Sequence, residues 1–241
     1  HDLTVYAKWE QQTVNYMVRH YQEKLWSITG YEEIPYGREF DAKNYELTEE
    51  ESFAAHAGDS VTPDVKSYTG FTAPEKQTVE VLGDGSLVVN YYYTRNTGLL
   101  LLEVTGNPDG KEFARVQYVP YGTPIGEIEA VVERQNDRAG YTFEGWYTDG
   151  NHQNPFDGIM PAVDVNTEEP DAWNDGFKIY GKWTPVLSEY RVEHYQQNPF
   201  DPSSYILVEE ETKTALTDTE VTPEVKSYPG FQSPQAQNLW V

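Results

Sequence analysis

Three segments recur in the same order along the 241-residue chain. Such repetition points to a row of small units, each built the same way, in place of one large core. LTVYAKW at 3–9 returns as FKIYGKW at 177–183, and YMVRHYQ at 16–22 returns as YRVEHYQ at 190–196, both at an offset of 174 residues. The longer stretch 45–71 matches 205–231 with 15 identities in 27 positions, including VTP, VKSY and GF, at an offset of 160. The first copy thus carries 14 more residues between Tyr21 and Tyr45. The expected order is the tail strand of a unit A (1–10), a unit B (11–96) with an insertion over 23–44, a unit A (97–184), and a second, truncated B (185–241). This second B has no counterpart of DGSLVVNYYYTRN at 84–96, so an unpaired sheet edge is expected in it. The start at His1, in mid-pattern, reads as a fragment of a longer protein.

Composition narrows the partners. Lys and Arg total 17 against 40 Asp and Glu, a formal charge of −23. Nucleic acid and anionic lipid need clustered cations and are unsuited to such a surface. With no membrane-length apolar run and no cysteine, membrane insertion, disulfide staples, thiol catalysis and cysteine metal sites are not expected. Leu, Ile, Val and Phe together supply only about one residue in five, at the edge of the range in which chains stay disordered. Aromatics reach 14%, and each buried ring removes a large area from water, so the chain should fold around small cores rich in Tyr and Trp.

Locally, short strands dominate. LTVYAKW alternates apolar and polar residues as a half-buried strand does. QTVEVLGDGSLVVNYYY (77–93) reads as a hairpin about Asp84-Gly85, and Asn107-Pro108-Asp109-Gly110 as a turn into a strand over 113–119. One helix is expected in unit A, capped by Thr123, entered through Pro124 and left through Gly140. Glu127 and Glu129 would lie near its positive end, with Arg134 and Arg138 near its negative end. Ile125, Ile128 and Val132 would form its buried face. YTFEGWY (141–147) follows as a strand.

With GYTFEGWYTD at 140–149 followed by FKIYGKW at 177–183, unit A resembles the internalin B-repeat (Listeria–Bacteroides repeat) family. Unit B, through YxVxHYQ, VTPxVKSYxGF and VVNYYYTR, resembles the mucin-binding-protein-like repeats that alternate with such units in adhesins of Gram-positive gut bacteria. The resemblance implies an α+β, strand-rich fold of tandem small β-grasp (ubiquitin-like) modules in an elongated array, secreted or on the bacterial surface. Neither family brings a catalytic residue. Two departures stand out: a long loop over 150–175 in unit A and the insertion in the first unit B.

Searches for chemistry return little. There is no P-loop, GxSxG or HExxH. His20 and His194 hold equivalent places, where a strand histidine with one hydrogen bond is expected in preference to a paired ligand or pH switch. Glu49-Glu50-Glu51 and Glu209-Glu210-Glu211 read as solvated edges, because consecutive strand residues point to opposite faces and three cannot converge on one ion. YxLxE at Tyr45 and Tyr205 is similar to the start of the motif that supports Lys–Asn isopeptide bonds, which needs a buried, protonated Glu. Asp149, Asn151, Asn154 and Asp157 have a loosely calcium-like spacing that a plain turn-rich loop also explains. Trp9, Trp146 and Trp183 are expected in cores, whereas Trp26 and Trp173 sit in the inserted loops and should be partly exposed.

The reading is a non-enzymatic, monomeric adhesin region without cofactor or metal, binding a host glycoprotein, mucin or immunoglobulin. Its candidate ligand residues are Trp26, Tyr31, Tyr36, Phe40 and Trp173. The alternatives are a stalk that presents a distal binding head and a carbohydrate-binding module of a glycan-degrading surface protein. The apolar stretch 25–40 must either bind a partner or cover its own module.

Overall fold

The computed structural model describes residues 3–30, 39–104, 112–136, 138–163 and 176–241. Tyr31, Tyr36, Trp173 and the turn at 107–110 lie outside them. The fold is strand-rich, with little helix. The strands are β1 (Thr13–Glu23), β2 (Tyr45–His56), β3 (Ser60–Val61), β4 (Phe71–Thr72), β5 (Val79–Glu80), β6 (Val88–Arg95), β7 (Thr97–Val104) and β8 (Glu112–Pro120). Helix α1 (Glu129–Gln135) precedes β9 (Tyr141–Tyr147). Then follow β10 (Phe177–Pro185), β11 (Leu187–Asn198), β12 (Asp201–Leu216), β13 (Glu220–Val221) and β14 (Leu239–Trp240). By contacts the chain divides into residues 1–102, 113–131 and 157–178, and residues 103–112, 132–156 and 179–241.

One four-stranded sheet has the order β2-β1-β6-β4 and another β8-β7-β10-β9. In both, the first strand lies beside the last long one. In the first sheet that central pair is parallel, from Met17 beside Val88 to Gln22 beside Tyr93, and β2 runs antiparallel on the outer side. Period-2 alternation sends Tyr16, Val18 and His20 of β1 and Val89, Tyr91 and Tyr93 of β6 to one buried face. Val81 and partly buried residues of 61–79 close over them.

The second unit B repeats this plan up to one strand. β11 pairs with β12 as β1 does with β2, including the register shift after the histidine, and β13–β14 reproduces β3–β5. Among the described residues β11 has no other strand partner, and the expected open edge is there.

Four local expectations change. Residues 3–9 form no strand, and Trp9 is 91% exposed in place of being structural. FKIYGKW, by contrast, forms most of β10, where β9 and β7 complete its ladders. The stretch 77–93 is not a hairpin. Gly85 does take positive φ (72°), but β5 pairs with β3 while β6 pairs with β1. Pairing with β1 offers six register positions against the two that β5 can give.

The helix is broken. Thr123 is buried and does not cap it; a 3-10 turn (Ile125–Glu127) with Pro124 as N-cap comes first, and Ile128 is extended (φ −78°, ψ 121°). The helical count restarts after Ile128, so Val131 is buried beside Ile125 and Ile128, and Val132 is exposed. Gly140 does take the left-handed conformation (φ 80°), and Arg134 lies in the last turn, whereas Arg138 stacks its guanidinium 3.5 Å from the Tyr141 ring centroid.

Candidate binding surface

The face of the first sheet opposite its core carries an aromatic cluster. Tyr21 on β1 and Tyr92 on β6 are direct neighbours in the parallel ladder, and their rings stack at 5.0 Å. Alternation explains why Tyr92 faces outward while Tyr91 and Tyr93 face the core. Tyr45 opens β2 opposite Glu23, and its ring meets the edge of Tyr92 at 5.2 Å. Phe40 completes the group, 4.9 Å from Tyr92 and 5.5 Å from Tyr45.

The end of the insertion delivers Phe40. Asp41 accepts from the Lys43 backbone N–H and starts a 3-10 turn, Ala42–Asn44. Lys24 then ties this turn to the end of β1, donating from its backbone to Asn44 O (2.7 Å) and from its ammonium to Lys43 O (2.8 Å). Phe40 is 59% exposed, while the three tyrosines are half-buried. The early part of the insertion does something else: Thr29 O accepts from the N–H of Ala130 in α1 at 3.0 Å, and Trp26 is half-buried. Phe40 and Trp26 are therefore separate features. Tyr21, Tyr45 and Tyr92 are not among the ligand residues expected from sequence, where Tyr45 stands out only as the start of YxLxE. The available signal was the middle tyrosine of the YYY run, whose outward position follows once its neighbours face the core.

The second unit B keeps part of this surface. Tyr195 and Tyr205, the counterparts of Tyr21 and Tyr45, are exposed, as is Phe200 in the β11–β12 turn.

At the β2 edge the glutamate runs do more than face solvent. Glu49 and Glu51, two residues apart, share a face, and both reach the Lys66 ammonium, at 2.5 and 2.9 Å. The Tyr68 hydroxyl donates to Glu49 (3.1 Å), and His20 Nε2 lies 3.4 Å from Glu51. Glu50, on the other face, pairs with Arg19 at 2.5 Å. Lys226, Glu209, Glu211, Tyr228 and His194 repeat this arrangement. His20 is the strand histidine with one hydrogen bond that was expected: its Nδ1 is hydrogen-bonded to the Tyr93 hydroxyl at 2.8 Å, and Nε2, near the Glu51 carboxylate, makes no hydrogen bond among the described residues.

Isopeptide chemistry would need a protonated Glu and an uncharged Lys. The hydrogen bonds from Lys66 and Tyr68 hold the Glu49 carboxyl below its ordinary value, and its bond to Glu49 holds the Lys66 ammonium above its own. Both shifts oppose amide formation. The cluster instead pins the 62–68 segment to the sheet.

In the 149–158 loop, Asp149 accepts from the backbone N–H groups of Asn151 (3.0 Å), Gln153 (3.2 Å) and Asn154 (2.7 Å). Burial pushes its pKa up, but these donors outweigh it and hold the carboxyl below its ordinary value. Its oxygens are occupied in building the turn. Trp146 is buried against Phe143 (5.1 Å) and Trp183 (6.0 Å), which is core packing and not a sugar platform.

No protein-family model and no curated protein matches the chain.

Proposed function

We propose that this is a non-enzymatic, extracellular binding region of a Gram-positive bacterial surface adhesin, built of β-grasp-like modules, whose Tyr21–Phe40–Tyr45–Tyr92 surface stacks on sugar rings of a mucin-type host glycoprotein. The observation that carries the reading is the outward aromatic cluster, crowned by the exposed Phe40. Aromatic rings offer an apolar face to the C–H face of a sugar at small entropic cost, and tyrosine adds a polar tip. A chain of charge −23 repels anions, so the preferred glycans are neutral, not sialylated or sulfated. The β-grasp reading draws support from the central parallel pair of first and last strands, flanked by antiparallel ones.

The test is binding of the protein to immobilised mucin before and after enzymatic removal of its glycans, with Phe40→Ala and Tyr92→Ala variants alongside. Binding should require the glycans and fall at least tenfold in both variants. Undiminished binding to deglycosylated mucin, binding to immunoglobulin alone, or variants that bind like the parent would overturn the proposal.

A further inference from the structure

We infer that residues 26–30, early in the insertion, are a strap by which the first unit B caps and holds the helix of the unit A that follows it. The expected roles for this stretch were to bind a partner or to cover its own module. Its partner is the next module of the same chain.

The strap is fixed at both ends. At its base, Lys24 is tied to the 3-10 turn Ala42–Asn44, from its backbone N–H to Asn44 O (2.7 Å) and from its ammonium to Lys43 O (2.8 Å). The insertion is thereby closed where it leaves β1 and enters β2, as in a compact surface loop whose ends meet. Burial then alternates: Trp26, Ile28 and Gly30 are half-buried, whereas Leu25, Ser27 and Thr29 are exposed. An extended segment lying with one side against a surface has this period.

The surface at the far end is the start of α1. A side chain on Gly30 would bring its Cβ to 2.8 Å from both Ala130 Cβ and Ile128 Cγ2, and to 3.2 Å from Val116 Cγ1. Gly30 also takes positive φ (94°), and glycine alone meets both demands. One residue earlier, Thr29 O accepts from the Ala130 N–H at 3.0 Å. The helix begins at Glu129, so the extended Ile128 stands at its N-cap, with no side-chain oxygen for the unpaired N–H groups of the first turn. A capping Ser, Thr, Asp or Asn accepts from the second or third helical residue. Ala130 is the second, and Thr29 O stands in for the missing side-chain oxygen. Ile128 can then serve the core, where it is buried.

The grouping of contacts follows the strap. Residues 113–131, with the first turn of α1, belong with residues 1–102, whereas 132–156, with the rest of α1 and β9, do not. In the second unit B, β11 turns directly into β12, Asn198 pairing with Asp201, and the pair otherwise keeps the register of β1–β2. Closing this strand pair therefore does not need the insertion, and the joint to unit A is what the strap serves. The strap shares no residue with the Phe40 cluster, so the inference stands apart from the sugar-binding proposal.

The test is amide hydrogen exchange on the whole chain, on a chimera with 23–44 replaced by 197–204, and on Gly30→Ala and Gly58→Ala. Both glycines have positive φ, but a Cβ at Gly58 meets nothing within 4 Å, so Gly58→Ala carries the backbone strain without the clash. Exchange at the Ala130 amide should rise roughly tenfold in the chimera and in Gly30→Ala and stay at the parental rate in Gly58→Ala. The β1 and β6 amides should remain protected in all three. Parental exchange at Ala130 in the chimera overturns the inference, as does equal loss in the two glycine variants. Equal loss over β1 and β6 in the chimera also overturns it, because the insertion would then be a cover for its own module.

Discussion

The hydroxyl of Tyr93 sits 2.8 Å from Nδ1 of His20, and both residues are fully buried. They come from strands 73 residues apart in sequence, and the same hydroxyl also receives the backbone N–H of Lys66. One oxygen thereby joins β1, β6 and the loop that closes the core. Tyr93→Phe keeps the ring and removes these bonds, leaving buried polar groups unsatisfied. The expected cost is about 1–3 kcal/mol in urea unfolding of the first unit B, with the native far-ultraviolet spectrum unchanged.

Trp146 and Phe40 should behave in opposite ways. Trp146 is 8% exposed and wedged between Phe143 and Trp183, so Trp146→Ala should lower stability by about 3–5 kcal/mol. Phe40→Ala touches no buried core and should change stability by less than about 0.5 kcal/mol while weakening glycan binding. Thermal unfolding of the two variants, read beside their mucin binding, checks the pair.

Burial, reinforced by its bond to Glu49, pushes the Tyr68 pKa from 10.0 up to about 12. A folded-state pKa above the unfolded one favours the protonated form, so this contribution to stability is whole below pH 10 and is lost as pH rises through about 12. Glu49 has the reverse sign: its lowered pKa stabilises the fold above its unfolded value of 4.5, and the contribution disappears as pH falls through the folded value. In the difference between parent and Tyr68→Phe, tyrosinate absorbance should show one group titrating near 12. Glu49→Gln should flatten the acid limb of the stability curve.

Arg95 forks between the end of β1 and the turn that follows β8. Its guanidinium donates twice to Glu23 O (2.8 and 3.1 Å) and once to Tyr121 O (2.9 Å), and lies 4.7 Å from the Phe71 ring centroid. A lysine has neither the fork nor the planar stacking surface. Arg95→Lys should therefore cost about 1–2 kcal/mol, measured by chemical unfolding, although the charge is kept.

Much of the plan was legible in the residues themselves. The repeats announced two copies of one unit B, and in the structure β1–β2 and β11–β12 share even their irregularity after the histidine. The GYTFEGWY segment supplied a strand with a core tryptophan; Gly140 takes the expected left-handed conformation, but at the entry to β9 and not at the end of the helix, which stops at Gln135. These features depend on side-chain periodicity and local backbone preference, which a short segment carries with it wherever it goes. The break at Ile128 was hidden because apolar spacing alone does not show where a helical count restarts.

Partners were not legible. LTVYAKW and FKIYGKW alternate alike, yet only the second is a strand, because β7 and β9 lie beside it to receive its backbone hydrogen bonds. The YYY run offers three equivalent rings, and it is pairing with β1 that buries Tyr91 and Tyr93 and leaves Tyr92 to meet Tyr21 and Phe40. A strand's ladder is completed by groups far away in the chain, and shifting its register by one residue exchanges its two faces. Sequence alone thus determined which segments could be strands, how their side chains alternate and that the second unit B would have an open edge; the tertiary structure decided which strands found neighbours and which rings faced water.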